Sequence, residues 1–419
     1  MRRHYTLMAL AVILFPISIF AQPWMQGFED NPSDFREVQK AFNEYWKDKN
    51  IENGYYFEDG VKKKAYGWKQ FKRAEWFIEN RMKKDGRIST KSELYREWLA
   101  YQESNPAYKN RSGNAGNWQF VGPSTGFSGY GGIGRLNCIA FHPTDPNTYW
   151  VGAPAGGIWE TTNNGTTWTS LTDDLPSLGV SDISVNPNDP DEIYIATGDR
   201  DGYDTYSAGV FKTTNGGATW TVTGLSFNEF GDYEVIGRLL MDPRDPTILI
   251  ATTTDGIYRT EDSGGSWTKA RTGRFLDAEF HPSNPDTVYS TTRPFNGWVE
   301  LYRSIDGGTT WTMQASLNGC KRANIAVSAN DPQLIQILSS GSDKGLDGLF
   351  KSTNGGNTIT KYLQGTCSNN YLDWSDDGSS CGGQGYYDLS FTLNPLDADE
   401  VFLGGINAWR SSDGGVHGV

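Results

Sequence analysis

The sequence predicts an all-β chain, a propeller of six recognisable blades with the last one incomplete, preceded by a small α-helical N-terminal region. Three observations carry this. A short turn motif recurs six times, a Pro-Asp turn recurs upstream of each copy, and the spacing between copies is that of propeller blades. The motif tryptophans Trp168, Trp220, Trp267 and Trp311 are 52, 47 and 44 residues apart, and a period in the forties with alternating apolar stretches between turns is the blade signature.

The first element is a targeting signal over residues 1–21. Arg2 and Arg3 form a basic start, Leu7 to Phe20 is apolar, and Ala21 offers a cleavage site before Gln22. The apolar stretch is shorter than the roughly 20 residues a membrane span needs, and no Cys follows the cleavage site to take a lipid. The mature protein is expected outside the cytoplasm, secreted or at the outer cell surface.

Residues 22–110 are expected to be helical. Ser33 can cap a helix with apolar positions Phe35, Val38, Phe42 and Tyr45. A second helix carries Trp68, Phe71, Glu75 and Ile78, and a third opens with Thr90 and Glu93 at capping-box spacing. Lys62, Lys63 and Lys64 read as a solvated surface before the second helix. Residues 111–117 are small and polar, a linker.

The propeller is expected over 118–419. Its motif runs from Thr161 to Trp168, Thr213 to Trp220, Thr260 to Trp267, Ser304 to Trp311, Ser352 to Ile359 and Ser411 to Gly418. The third position, Asn163 in the first copy, can accept backbone N–H groups across a tight turn, while the following glycines permit positive φ. The tryptophan supplies an apolar plate between neighbours. Turns such as Phe141-His-Pro-Thr-Asp-Pro146 separate the first and second strands of each blade.

Composition excludes some functions. A hydrophobic fraction of 37% with 49 Gly, 15 Trp and 21 Tyr suits short strands and tight turns. A formal charge of −13 speaks against nucleic acid, which requires clustered bases. His4, His142, His281 and His417 make no metal-spaced pair or nucleophile triad, and no catalytic residue is assigned. Cys367 and Cys381 bracket one polar loop and form the expected disulfide pair; Cys138 reads as a small buried hydrophobe.

Ser/Thr-x-Asp-x-Gly-x-Thr/Ser-Trp resembles the Asp box, or BNR repeat, of sialidases, sortilin-type propellers and xyloglucan-cleaving glycosidases. The stretches Trp118–Pro123, Gly198–Ser207, Gly382–Leu389 and Gly404–Trp409 resemble more narrowly the large secreted Bacteroidetes proteins with sortilin-like propellers. That resemblance implies type IX secretion machinery as a partner, further blades, and a C-terminally incomplete chain here. In the xyloglucan-cleaving relatives it implies a general base within Gly-Thr-Asp-x-Gly-Gly; the matching Gly152–Gly157 has Pro154 at that Asp.

The candidate sites follow. Asp199, Asp201 and Asp204, with Gly202 allowing a sharp turn, form an acidic loop that suits calcium, the one cofactor expected. Tyr371, Asp373 and Trp374 sit between the paired cysteines and suit contact with a carbohydrate or protein ligand outside the cell. Arg135 and Arg274 occupy equivalent positions before first strands and are candidate ligand contacts in the channel. Two functions are expected from different classes. The first is a non-catalytic recognition protein; the alternative is an exported glycoside hydrolase, xyloglucanase- or sialidase-like, with catalytic residues partly outside the chain.

Overall fold

In the computed structural model, residues 24, 34–87, 89, 91–105, 134–175, 177–227, 234–294 and 296–415 are described. The expected signal segment, the linker, Ser33, Thr90, the Trp118–Pro123 stretch and His417 lie outside them. Contacts divide the chain into a helical unit ending at Leu94 and a propeller unit from Tyr95 onward. Among the described residues no helix is long and apolar enough to cross a membrane.

In the helical unit α1 (Phe35–Trp46) starts at Asp34, whose carboxylate accepts the Arg36 backbone N–H. Phe35, Val38, Phe42 and Trp46 are buried. Trp46 rather than Tyr45 continues the inward stripe, since Tyr45 is 42% exposed. A hairpin follows, β1 (Tyr55–Glu58) and β2 (Val61–Lys64), where the sequence reading expected helix. Asp59 and Gly60 both take positive φ, 51° and 78°, as a two-residue hairpin turn requires. The three lysines lie on β2, exposed; Lys63 pairs with Glu58 and Lys62 covers the Tyr55 ring. Next comes α2 (Trp68–Glu79); α3 (Lys91–Ser104) begins in this unit and ends in the propeller unit. Phe71 of α2 stacks on Phe42 at 3.8 Å between ring centroids, which closes an aromatic core with Trp24 and Trp46.

Among the described residues the propeller unit holds six antiparallel sheets in chain order, four-stranded in blades 1–5 and three-stranded in blade 6. The first strands are Cys138–Phe141, Val180–Val185, Ile236–Met241, Phe275–Phe280, Arg322–Val327 and Ser390–Asn394. First strands of successive blades run side by side around the axis. Each core cluster is shared by two neighbouring blades. Trp150 and Ile158 of blade 1 pack with Ile183, Phe211 and Trp220 of blade 2, and Tyr289 and Leu301 of blade 4 with Ile325 and Phe350 of blade 5. Such nearest-neighbour burial gives repeat proteins their stability.

The six motifs are the same turn. The first-position hydroxyl accepts the N–H of the fifth residue: Gly165 at 2.9 Å, Gly217 at 3.0 Å, Gly264 at 3.1 Å, Gly308 at 2.9 Å, Gly356 at 2.9 Å and Gly415 at 2.9 Å. That hydroxyl also donates to the third-position Asn or Asp, whose Oδ1 in blades 1–5 accepts the N–H four residues on. Asn163, Asn215, Asp262 and Asp306 therefore stand at equivalent turns.

Candidate functional site

Polar side chains crowd the axis from two directions. Along the first strands each blade is stitched to the next. Asn137 before blade 1 donates to Val180 O at 3.0 Å; Asp182 of blade 2 accepts Leu239 N at 2.8 Å; Asp277 of blade 4 accepts Ile325 N at 2.7 Å. Between the two aspartates Arg238 of blade 3 faces Asp182, Asp277 and Glu279. Burial drives the Glu279 carboxyl upward, helped by Asp277 and Asp182 and opposed by Arg238. A cavity of about 370 Å³ opens here between blades 1–3, lined among others by Ile139, Phe141, Asp182, Arg238 and Met241.

The second direction is the loop joining the second and third strands of blade 2, which carries Asp199, Asp201 and Asp204. Asp199 is fully buried and accepts N–H groups of Asp201, Gly202 and Asp204, the pattern of a tight carboxylate-centred turn. Arg135 binds Asp199 at 2.7 Å and Asp201 at 3.2 Å, and the buried Arg322 pairs with Asp201. Burial alone would raise the Asp199 pKa, but Arg135 and the turn's N–H groups hold it below the usual carboxylate range. Asp204 is exposed. The loop's negative charge is thus met by guanidinium groups, and a cation there would have to displace them. Among the described residues no group of three His, Cys, Asp or Glu side chains is arranged to hold a metal ion.

The loop is pinned from several blades. Thr205 donates to Pro154 O at 2.7 Å, Arg200 reaches Gly237 O and Asn137 O, and Arg293 reaches Arg200 O at 2.8 Å. Arg274 donates to the Tyr203 hydroxyl at 3.0 Å. A segment leading into blade 6 meets this loop: the Tyr387 ring lies 4.1 Å from the Arg135 guanidinium, and Arg293 and Arg322 donate to Tyr386 O and Gly385 O. Asp388 follows at once. Burial raises its pKa, against the pull of Arg135 and Arg322.

The sequence-derived candidates therefore separate. Arg135 and Arg274 reach one loop cluster, though Arg135 is spent on carboxylates. Tyr371 and Asp373 face inward: Tyr371 packs on Trp409, and Asp373 is fully buried, capped by Ser375 and Ser380. Trp374 is presented to solvent at 54% exposure. Cys367 and Cys381 are joined as a disulfide with Cα atoms 4.5 Å apart; Cys138 is half-buried and Cys320 buried, both free. His142 and His281 accept backbone N–H groups within their own turns. Arg200, Arg293, Arg322 and Asp388 were not singled out from the sequence. Arg322 opens a first strand much as Arg135 and Arg274 precede theirs, so the signal was present.

The chain is similar to xyloglucanases. It is 26% identical to a xyloglucanase of Acetivibrio thermocellus over 331 residues, 68% of this chain and 38% of that protein. A Paenibacillus xyloglucanase is 26% identical over 221 residues, 44% of this chain and 21% of that protein. The chain thus spans well under half the length of these relatives. In fold it is similar to an ancestral GH74 enzyme (TM-score 0.52, 18% identity, 71% of this chain and 38% of that one). It is also similar to the Niastella koreensis GH74 enzyme (TM-score 0.50, 19% identity, 68% of this chain and 46% of that one). No family model matches the chain.

Proposed function

We propose that this chain is the glycan-binding propeller of an exported glycoside hydrolase whose substrate is a xyloglucan-type polysaccharide. The similarity to xyloglucanases along 68% of the chain carries this reading. It favours the hydrolase over the purely non-catalytic recognition protein that the sequence alone put first. Secretion by type IX machinery belongs to the same reading and rests on the sequence resemblance.

Glycoside hydrolysis needs two carboxylates, one of them protonated at working pH. Asp388 is the candidate for one of them: it stays partly accessible beside Arg135, and burial raises its pKa against the pull of Arg135 and Arg322. The partner carboxylate is the missing part. Pro154 occupies the place of the expected base, and its carbonyl is taken by Thr205. The second group is therefore assigned outside this chain. Affinity electrophoresis in xyloglucan tests the reading: the chain is retarded, Asp388→Asn is retarded equally, and neither releases reducing sugar. Absence of retardation overturns it. A protein extended to the length of the relatives is expected to cleave xyloglucan, and Asp388→Asn there to lower turnover by about 10²-fold or more.

A further inference from the structure

The helical unit has two adjoining cavities, of whose aromatic lining only Trp68 also packs against the unit's own core. One, of about 520 Å³, is lined by Trp68, Lys69, Lys72, Arg73, Trp76 and Phe77 of α2. The other, of about 290 Å³, lies beside it and shares Lys69 and Arg73, adding Asn53, Tyr55, Lys64, Tyr66 and Gln70. The surface is apolar where a soluble helix should be polar. Trp76 is 71% exposed and Phe77 51%, whereas the inward face of α2 is already occupied by Phe71 against Phe42. Aromatic side chains left in water at this density mark a binding surface.

Charge narrows the occupant. No carboxylate lines either cavity among the described residues. Lys72 is bridged to Glu75 at 2.7 Å, but among the described residues Lys69 and Arg73 have no ion-pair partner. One helical turn apart, their side chains emerge about 5–6 Å from each other. Gly54, at φ 82°, leaves room for the Lys69 stem, which a Cβ there would strike at 2.6 Å. Basic residues outnumber acidic ones over residues 34–94, in a chain whose formal charge is −13.

We propose that this groove binds an anionic polysaccharide, with Trp68, Trp76 and Phe77 against sugar faces and Lys69 and Arg73 on its carboxylates. Flat apolar rings suit the C–H faces of pyranoses, and Trp68 and Trp76 stand about 12 Å apart along the helix axis. The amide and phenol groups of Asn53, Gln70, Tyr55 and Tyr66 supply hydrogen bonds for hydroxyls. A neutral glucan would leave the two cations unanswered. A nucleic acid would need more positive charge than this unit carries. The groove belongs to the helical unit, whereas the site proposed for xyloglucan belongs to the propeller unit.

The test is affinity electrophoresis of the full chain in polygalacturonate, with xyloglucan as a parallel arm. Polygalacturonate is expected to retard the protein, less so at high salt because exposed charge pairs are screened. Lys69→Gln with Arg73→Gln should weaken that binding by about tenfold or more, two charge-assisted contacts being lost. Trp76→Ala should weaken it while leaving the melting temperature unchanged. Xyloglucan retardation should be the same in all variants, so failure of either site shows in its own arm. Three results would overturn the proposal: no retardation of the wild type by polygalacturonate, unchanged retardation in both sets of variants, or equal loss in the xyloglucan arm.

Discussion

Arg322 shows how much a single guanidinium can hold. It is 3% exposed, pairs with Asp201 and donates to Gly385 O, and among the described residues its Nε has no partner. Burial pulls its pKa down to about 10, against the attraction of Asp201. Replacing it by Met would leave Asp201 buried with only Arg135 and the more distant Arg200 nearby. A loss of about 3–5 kcal/mol is expected, as for other broken buried pairs, measurable by denaturant unfolding. A loss under about 1 kcal/mol would mean that Asp201 is solvated instead. The acidic loop was legible in the sequence as a cluster of like charges. That Arg135, Arg274, Arg293 and Arg322 would meet it was not, because they come from blades 1, 4 and 5, and charge patterning along a chain says nothing about which distant segments meet. The same blindness applied to Tyr371 and Asp373. Aromatic and acidic residues on a stapled loop looked like ligand contacts, but the loop folds back on itself and spends them on its own core.

At the scale of the repeated turn the sequence reading was strong, because the chemistry is local and each partner lies within five residues. Asp262 accepts both the N–H and the hydroxyl of Ser266. These bonds, the backbone one foremost, carry its pKa from 3.8 to about 2. A depressed carboxylate contributes stability that is fully present above its ordinary value and lost as pH falls through the folded one. Asp262→Ala should therefore lower the melting temperature by a few degrees at pH 7, with the gap to wild type closing between about pH 4 and pH 2. Asp262→Asn should behave nearly as wild type, since Asn215 makes the equivalent bonds at 2.9 Å to Thr219 N and from its amide to the Thr219 hydroxyl. Thermal melts across pH decide this, and a gap of constant size down to pH 2 would refute it. The β1–β2 hairpin was equally local and yet missed: Asp59-Gly60 between aromatic and basic runs is a hairpin signal that the helical reading of the region overrode.

Across the whole propeller, one position reports which blades have neighbours. Two residues before each Pro-turn stand Ile139, Ile183, Leu239, Ala278, Ile325 and Phe391. In blades 2–6 that side chain is 0–8% exposed, but Ile139 in blade 1 is 52% and Phe141 beside it 64%. Among the described residues no blade packs on that side of blade 1, so the difference does not come from the sequence of the strand. Ile183→Ala should cost about 2–5 kcal/mol, whereas Ile139→Ala should stay within about 0.5 kcal/mol of wild type. Denaturant midpoints of the two variants test this; an equal cost would show that Ile139 is covered in solution. Blade number and order were legible because the motif repeats. Which faces would be left open was not, since every first strand reads as equally apolar.

The stitching of the first strands sets a rule for how such a chain can grow or shrink. Asp182 and Asp277 are two blades apart, and Arg238 sits between them as their shared counter-charge. Excising blade 3 alone would bring two buried aspartates face to face, a repulsion with nothing to offset it. Excising blades 3 and 4 together would leave Asp182 facing the Ile325 N–H that Asp277 now accepts, with acid still opposite a donor. Along this part of the propeller, excision of a pair of blades should therefore be tolerated better than excision of one, even though the unit visible in the sequence is one.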